Sequence, residues 1–212
     1  MKREHRGPIL AAVLVAMVLP FLLPDRFSPG PAWLFALAEA GLLVAVAVTD
    51  PGRIDRRSED VRWIRLALIM VLVFGAAWAT VRLIVDLVQG GPDTDHAGPL
   101  LTAGALVWID LVIVFALLFW ELDSGGPGFR SHRATRYPDL AFPQHLNPSL
   151  ARPGWRPVFY DYLYLGLTNA IAFSPTDVMP LAHWAKSAMG LQSLTSITIL
   201  SLVIARAVNV LG

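Results

Sequence analysis

Residues 162–186 read YLYLGLTNAIAFSPTDVMPLAHWAK, and this stretch decides how the whole chain is understood. A helix of about ten residues stops at a turn containing Pro175, passes Asp177 and Pro180, and restarts as a long apolar helix running toward Gly212. The first piece is about half of what crosses a bilayer, since a spanning helix needs roughly 20 apolar residues. Chain that enters lipid without crossing it survives only where protein buries it or where it lines water.

Working outward, the sequence is 55% hydrophobic and 16% charged, and several apolar runs reach spanning length. Breaks at charged and proline-rich stretches predict spans near 8–24, 32–49, 63–88, 99–121 and 181–211, with a shorter apolar piece at 158–173. The expected fold is an all-α membrane protein: four N-terminal transmembrane helices (1–121), a Pro-rich amphipathic linker (122–156), and a last module (157–212) of a re-entrant helix, a loop and one long C-terminal helix. Lys2, Arg3 and Arg6 ahead of an apolar run imitate a signal peptide, but Pro20 and Pro24 are followed by no small-residue cleavage site, so the run is read as a membrane helix. The linker holds Pro127, Pro138, Pro143, Pro148 and Pro153, too many for a long helix, and is either a tether or a cap.

Basic residues cluster before the first span, between the second and third (Arg53, Arg56, Arg57, Arg62, Arg65), and after the fourth (Arg130, Arg133, Arg136, Arg152, Arg156). The positive-inside rule puts these segments and the N-terminus in the cytoplasm, in what is expected to be a bacterial inner membrane. If 158–173 re-enters, the C-terminus lies outside; if it crosses, both ends lie inside. Asp161, Thr168 and Asn169 favour re-entry, because they suit a lipid-facing span poorly.

Asp177-Val-Met-Pro180 and Trp184-Ala-Lys186 stand in the register of the Asp-x-x-Pro and Trp-x-basic elements that follow the filter of tetrameric potassium channels. From Tyr160 to its end the chain resembles the pore module of that family. It also looks like uncharacterised bacterial inner-membrane proteins grouped only as a domain of unknown function, a likeness that carries no activity. The first resemblance implies a homotetramer, a pore helix, a filter at Ala172, Phe173, Ser174, Pro175 and Thr176, and an aspartate, Asp177, braced from behind by Tyr164 and Thr168. The filter itself departs from the family's TVGYG. A potassium filter needs glycines to aim successive carbonyls at the axis, and AFSPT has none. Pro175 lacks an N–H and Phe173 resists a left-handed backbone, so dehydrated potassium selectivity is not expected. Hydroxyls of Ser174 and Thr176 serve either ion sign, whereas N–H groups and a phenyl edge favour anions. A ring of Asp177 carboxylates facing the ions would favour cations. An ordinary helix-turn-helix is the plainer alternative, with Thr176 or Asp177 capping the last helix.

In the last helix Thr195, Thr198, Leu202 and Asn209 share one stripe and are candidates to line a conduit, although small hydroxyl residues also let membrane helices pack closely. Arg206, repeated around an oligomer, makes a positive ring or else snorkels. Glu39, Arg82, Asp86 and Asp110 lie inside earlier spans and are expected to form a buried charge network, as a structural salt bridge or a relay. The reading is passive ion conduction, anion slightly ahead of cation. The alternatives are a potassium or non-selective cation channel, or a secondary transporter using the buried carboxylates, for which no inverted repeat is visible. No H-E-x-x-H, Gly-x-Ser-x-Gly or phosphate-binding loop occurs, and there is no cysteine, so no enzyme, metal or cofactor is expected. The expected partners are other copies of the chain, lipid and inorganic ions, and not nucleic acid.

Overall fold

The computed structural model describes residues 5–28, 30, 32–49, 59–90, 96–132, 138–171 and 177–211. They form α1 (Arg6–Val18), α2 (Ala32–Thr49), α3 (Glu59–Gln89), α4 (Ala97–Leu122), α5 (Pro127–His132), β1 (Leu140–Ala141), α6 (Pro143–Leu146), α7 (Phe159–Ile171), β2 (Met179–Pro180) and α8 (His183–Leu211). Among the described residues three helical stretches are long and apolar enough to cross a membrane: Val61–Gln89, Ala97–Gly125 and His183–Val210, consistent with an integral membrane protein. The first two of the five full spans expected fall among the shorter apolar helices, although α2 has the expected bounds, 32–49. Helix α1 has 13 residues because Pro20 turns the chain into a 3-10 segment, and α2 has 18. At 1.5 Å per residue these reach only about 20 and 27 Å.

Helix α4 is the central post. Of its most apolar window 61% is buried, against 28% for α8, and it packs against α1, α3, α7 and α8. Glycines set how near two of these come. A Cβ on Gly104 would lie 2.8 Å from the Val203 side chain, and one on Gly166 would lie 3.0 Å from the Val112 carbonyl oxygen, so α8 and α7 each touch α4 where a methyl group would not fit.

The contacts also fix direction. Trp120 meets Phe159 edge-on at 6.3 Å while Gly166 reaches Val112, so α7 runs antiparallel to α4 from its C-terminal end. Trp108 bonds Ser196 and Gly104 meets Val203, so α8 runs the same way. Strand β2 is paired antiparallel with β1, Leu140 opposite Pro180, and the Leu140 N–H bonds Asp123 at the end of α4. By Met179 the chain is therefore back at the end from which α7 set out.

The described part of the linker is folded onto that end. Its longest helix among the described residues, α5, has six residues, as the prolines predict. Leu140, Ala141 and Phe142 are buried, Phe142 with its ring 5.3 Å from that of Tyr162 and 6.1 Å from that of Trp155. The Asp139 carbonyl accepts from the N–H groups of Leu181 and Ala182, which seats the chain just ahead of α8.

Candidate functional site

The proposed filter, Ala172, Phe173, Ser174, Pro175 and Thr176, lies outside the described residues. Between α7 and α8 the described residues form a polar lattice. Asn169 Nδ2 donates to Gln192 Oε1 (2.7 Å) and to the Met189 carbonyl (3.0 Å), and Gln192 Nε2 donates to the Gly166 carbonyl (2.9 Å). Ser193 Oγ donates to Asn169, and Ser196 Oγ to the Ala170 carbonyl at 2.6 Å while it accepts from Trp108 Nε1. Gln192 and Ser196 are fully buried. Two of the last four carbonyls of α7, those of Asn169 and Ala170, which have no partner within their own helix, are thus met by Ser193 and Ser196 of α8. An amide left unbonded in an apolar interior costs about 1–3 kcal/mol, so the lattice holds the end of α7 in one register.

A second assembly joins the end of α4 to the start of α7. Asp123 is fully buried: its Oδ2 accepts from the Tyr162 hydroxyl (2.6 Å), and its Oδ1 from Ser124 Oγ (2.9 Å) and the Leu140 N–H (3.2 Å). Arg130 donates to the Asp123 carbonyl at 2.6 Å and lies 5.0 Å over the Tyr162 ring. Two residues earlier Glu121, also fully buried, takes a two-pronged bond from Arg65 at 3.0 and 3.2 Å. Ser124, Gly125 and Gly126 all have positive φ, which ends α4 abruptly; Gly126, at +95°, stands where a Cβ would come within 2.9 Å of the Glu121 carbonyl oxygen. At the start of α7, Asp161 Oδ2 accepts the Val158 N–H at 2.7 Å. Burial pushes its carboxyl above the ordinary value, and that bond partly offsets the rise. Burial lowers His145, with Asp123 pulling the other way.

The remaining expected residues are placed as follows. Tyr164 is exposed on α7, Asp177 is exposed, and Thr168 donates to the carbonyls of Tyr164 and Leu165 in its own helix. Among the described residues no hydrogen bond joins Asp177 to Tyr164 or Thr168. The alternative in which Asp177 caps the last helix does not hold, because α8 begins at His183, beyond Pro180. On α8, Thr195 and Leu202 are half-buried, Thr198 and Asn209 exposed, and the Thr198 hydroxyl bonds the Leu194 carbonyl. Arg206 is half-buried, with one guanidinium nitrogen 3.5 Å from where a Gly90 Cβ would stand, against the C-terminal end of α3, where the helix dipole favours a cation. Of the expected charge network, Glu39 and Asp110 are both buried. No ion pair joins Arg82 to Asp86: Asp86 is buried, whereas Arg82 is half-buried with an Nε that meets no acceptor among the described residues.

Asp123, Glu121, Arg130 and Tyr162 were not among the residues expected to matter. The signal for the first two is Glu121-Leu-Asp-Ser-Gly-Gly126, two acids at the end of a span directly before a helix stop. Searches against protein-family models, curated proteins and solved structures find no match to this chain.

Proposed function

We propose that the chain is one subunit of a passive ion channel in which α7 is a re-entrant pore helix, 172–176 the filter and α8 the inner helix, with four copies enclosing one conduit in a bacterial inner membrane and the N-terminus cytoplasmic. One observation carries this reading: α7 and α8 leave the same end of α4 in the same direction, α7 has 13 residues, about 20 Å, and the chain is back at that end by Met179. A half-length helix laid beside a full-length one, its Gly166, Asn169 and Ala170 carbonyls met by Gln192, Ser193 and Ser196, is what a loop held at depth in a membrane requires. Anion conduction is favoured over cation conduction because AFSPT offers hydroxyls, N–H groups and a phenyl edge and has no glycine with which to build a carbonyl ladder.

Planar-bilayer recording of the purified protein in asymmetric KCl tests it. A reversal potential near that of chloride is expected. Phe173→Ala and Pro175→Gly should each shift it or change unitary conductance. Unchanged values in both variants remove 172–176 from the filter role, and absence of unitary current in repeated preparations removes conduction. The burial of the Glu39 and Asp110 carboxyls favours a second reading, secondary transport, which requires flux coupled in fixed ratio to another ion.

A further inference from the structure

The segment between β1 and α7 takes no part in the proposed conduction path, and it is pinned to one level of the bundle. Leu140 bonds Asp123, Arg156 Nη1 donates to the Arg130 carbonyl at 2.6 Å, and Phe159 meets Trp120 edge-on. These contacts lie at or just past the end of the apolar stretch Ala97–Gly125, where a spanning helix leaves the hydrocarbon. Two exposed aromatics stand at the same end: Trp63, two residues ahead of Arg65 and its bond to Glu121, and Tyr160, the second residue of α7. Tryptophan and tyrosine collect where lipid meets water, so this end of the bundle marks that boundary. Two further features fit the segment to it. Every main-chain N–H from His145 to Ala151 is bonded within residues 142–151, and Pro148 has none to bond, which is what lipid demands of a backbone. From Leu140 to Tyr160 there is no acidic residue, whereas Arg152 is exposed. Phe142 is buried with its ring 6.1 Å from that of Trp155, while Leu146 and Leu150 are left 56% and 67% exposed.

We propose that residues 143–152 are an in-plane membrane anchor: Leu146 and Leu150 enter the boundary between headgroups and acyl chains beside the end of α4, and Arg152 holds the phosphate of an anionic phospholipid. Apolar side chains of such anchors reach about 5–10 Å into that layer, and a guanidinium matches a phosphate with paired N–H groups. In the orientation proposed above this is the cytoplasmic leaflet, whose anionic lipids attract basic segments. The anchor rests on the chain being a membrane protein and not on what passes through it, so it stands or falls separately from conduction.

The chain has no cysteine, so a single spin label can be placed by one substitution. Leu150→Cys and, separately, Leu146→Cys, each carrying a nitroxide, are read by power saturation in the full-length protein reconstituted into vesicles of mixed phosphatidylglycerol and phosphatidylcholine. Oxygen serves as the lipid-soluble relaxant and a neutral nickel chelate as the aqueous one, with labelled Val44→Cys on α2 as the lipid reference and the free label as the water reference. At both leucine positions oxygen is expected to relax the label more strongly than nickel. Adding Arg152→Glu should raise nickel access at least twofold in the mixed vesicles and change it little in phosphatidylcholine alone. The proposal is overturned if nickel relaxes either label as strongly as oxygen does, which places the leucines in water. It is overturned equally if both relaxants are excluded, which means that protein covers them, or if Arg152→Glu leaves nickel access unchanged in the mixed vesicles or raises it equally in both lipids.

Discussion

Two buried contacts decide how the candidate pore region is held, and each is a few ångströms of side chain. Asn169 donates to Gln192, and between them the two amides meet the Met189 and Gly166 carbonyls. Asn169→Leu strips the Gln192 amide oxygen and the Met189 carbonyl of their donor together, so it should destabilise the protein by roughly 1–3 kcal/mol. Thermal unfolding in detergent measures this. Adding Gln192→Leu should cost less than the sum of the two single changes, because the second removes a group that the first left unbonded; strict additivity would show that the lattice is not coupled. The Arg65–Glu121 pair is the sharper case. Glu121→Leu leaves a guanidinium buried without its two-pronged carboxylate, and one-sided removal of such a pair costs about 3–5 kcal/mol. A stability loss under 1 kcal/mol would mean that water reaches Arg65.

At the scale of elements, the cap over the end of α4 is the part with a pH dependence that can be argued. His145 Nδ1 accepts the Phe142 N–H at 3.2 Å, which requires the unprotonated nitrogen, and its ring lies 5.3 Å from that of Trp155. Burial depresses its pKa below 6.5, so between the depressed value and 6.5 the unfolded chain binds more protons than the folded one. Stability contributed by neutral His145 is then fully present above pH 6.5 and is lost as pH falls through the folded value. The melting temperature should drop on acidification from pH 7.5 to 5.5, and by less in His145→Phe; an equal drop in both would place the titration elsewhere. This cap marks the limit of what the sequence reveals. The three long helices were legible because apolar runs are a local signal, and the prolines of 122–156 match the short helices among its described residues. The shortness of α1 was written in Pro20, which the apolar count overrode. The docking of Leu140–Phe142 onto Tyr162 was not legible, because it depends on a two-residue strand pairing across nearly forty positions. Gln192 fell on a recognisable polar stripe, but a stripe does not say which helix it meets, and only the glycine contacts at Gly104 and Gly166 settle the register.

At the scale of the whole molecule, burial is uneven in a way that bears on assembly. Helix α4 is enclosed, whereas α8 presents Leu191, Leu194, Ile204 and Val208, each at least 60% exposed, and α7 leaves Tyr164 and Ile171 exposed. In a lone subunit that surface faces lipid; around a fourfold axis part of it faces the neighbouring copies. The absence of cysteine makes the distinction measurable with a single introduced thiol. Leu194→Cys on α8 should form disulfide-linked dimers when membranes are oxidised, because two thiols bridge only when their Cα atoms come within about 7 Å. Val44→Cys, 60% exposed on α2, is the comparison, since α2 lies outside the module proposed to assemble. Dimers from Leu194→Cys and not from Val44→Cys support assembly about α8. Equal yields would reflect random collision in the bilayer, and cross-linking confined to Val44→Cys would put the interface on the opposite side of the molecule and leave α8 facing lipid, where it can enclose no conduit.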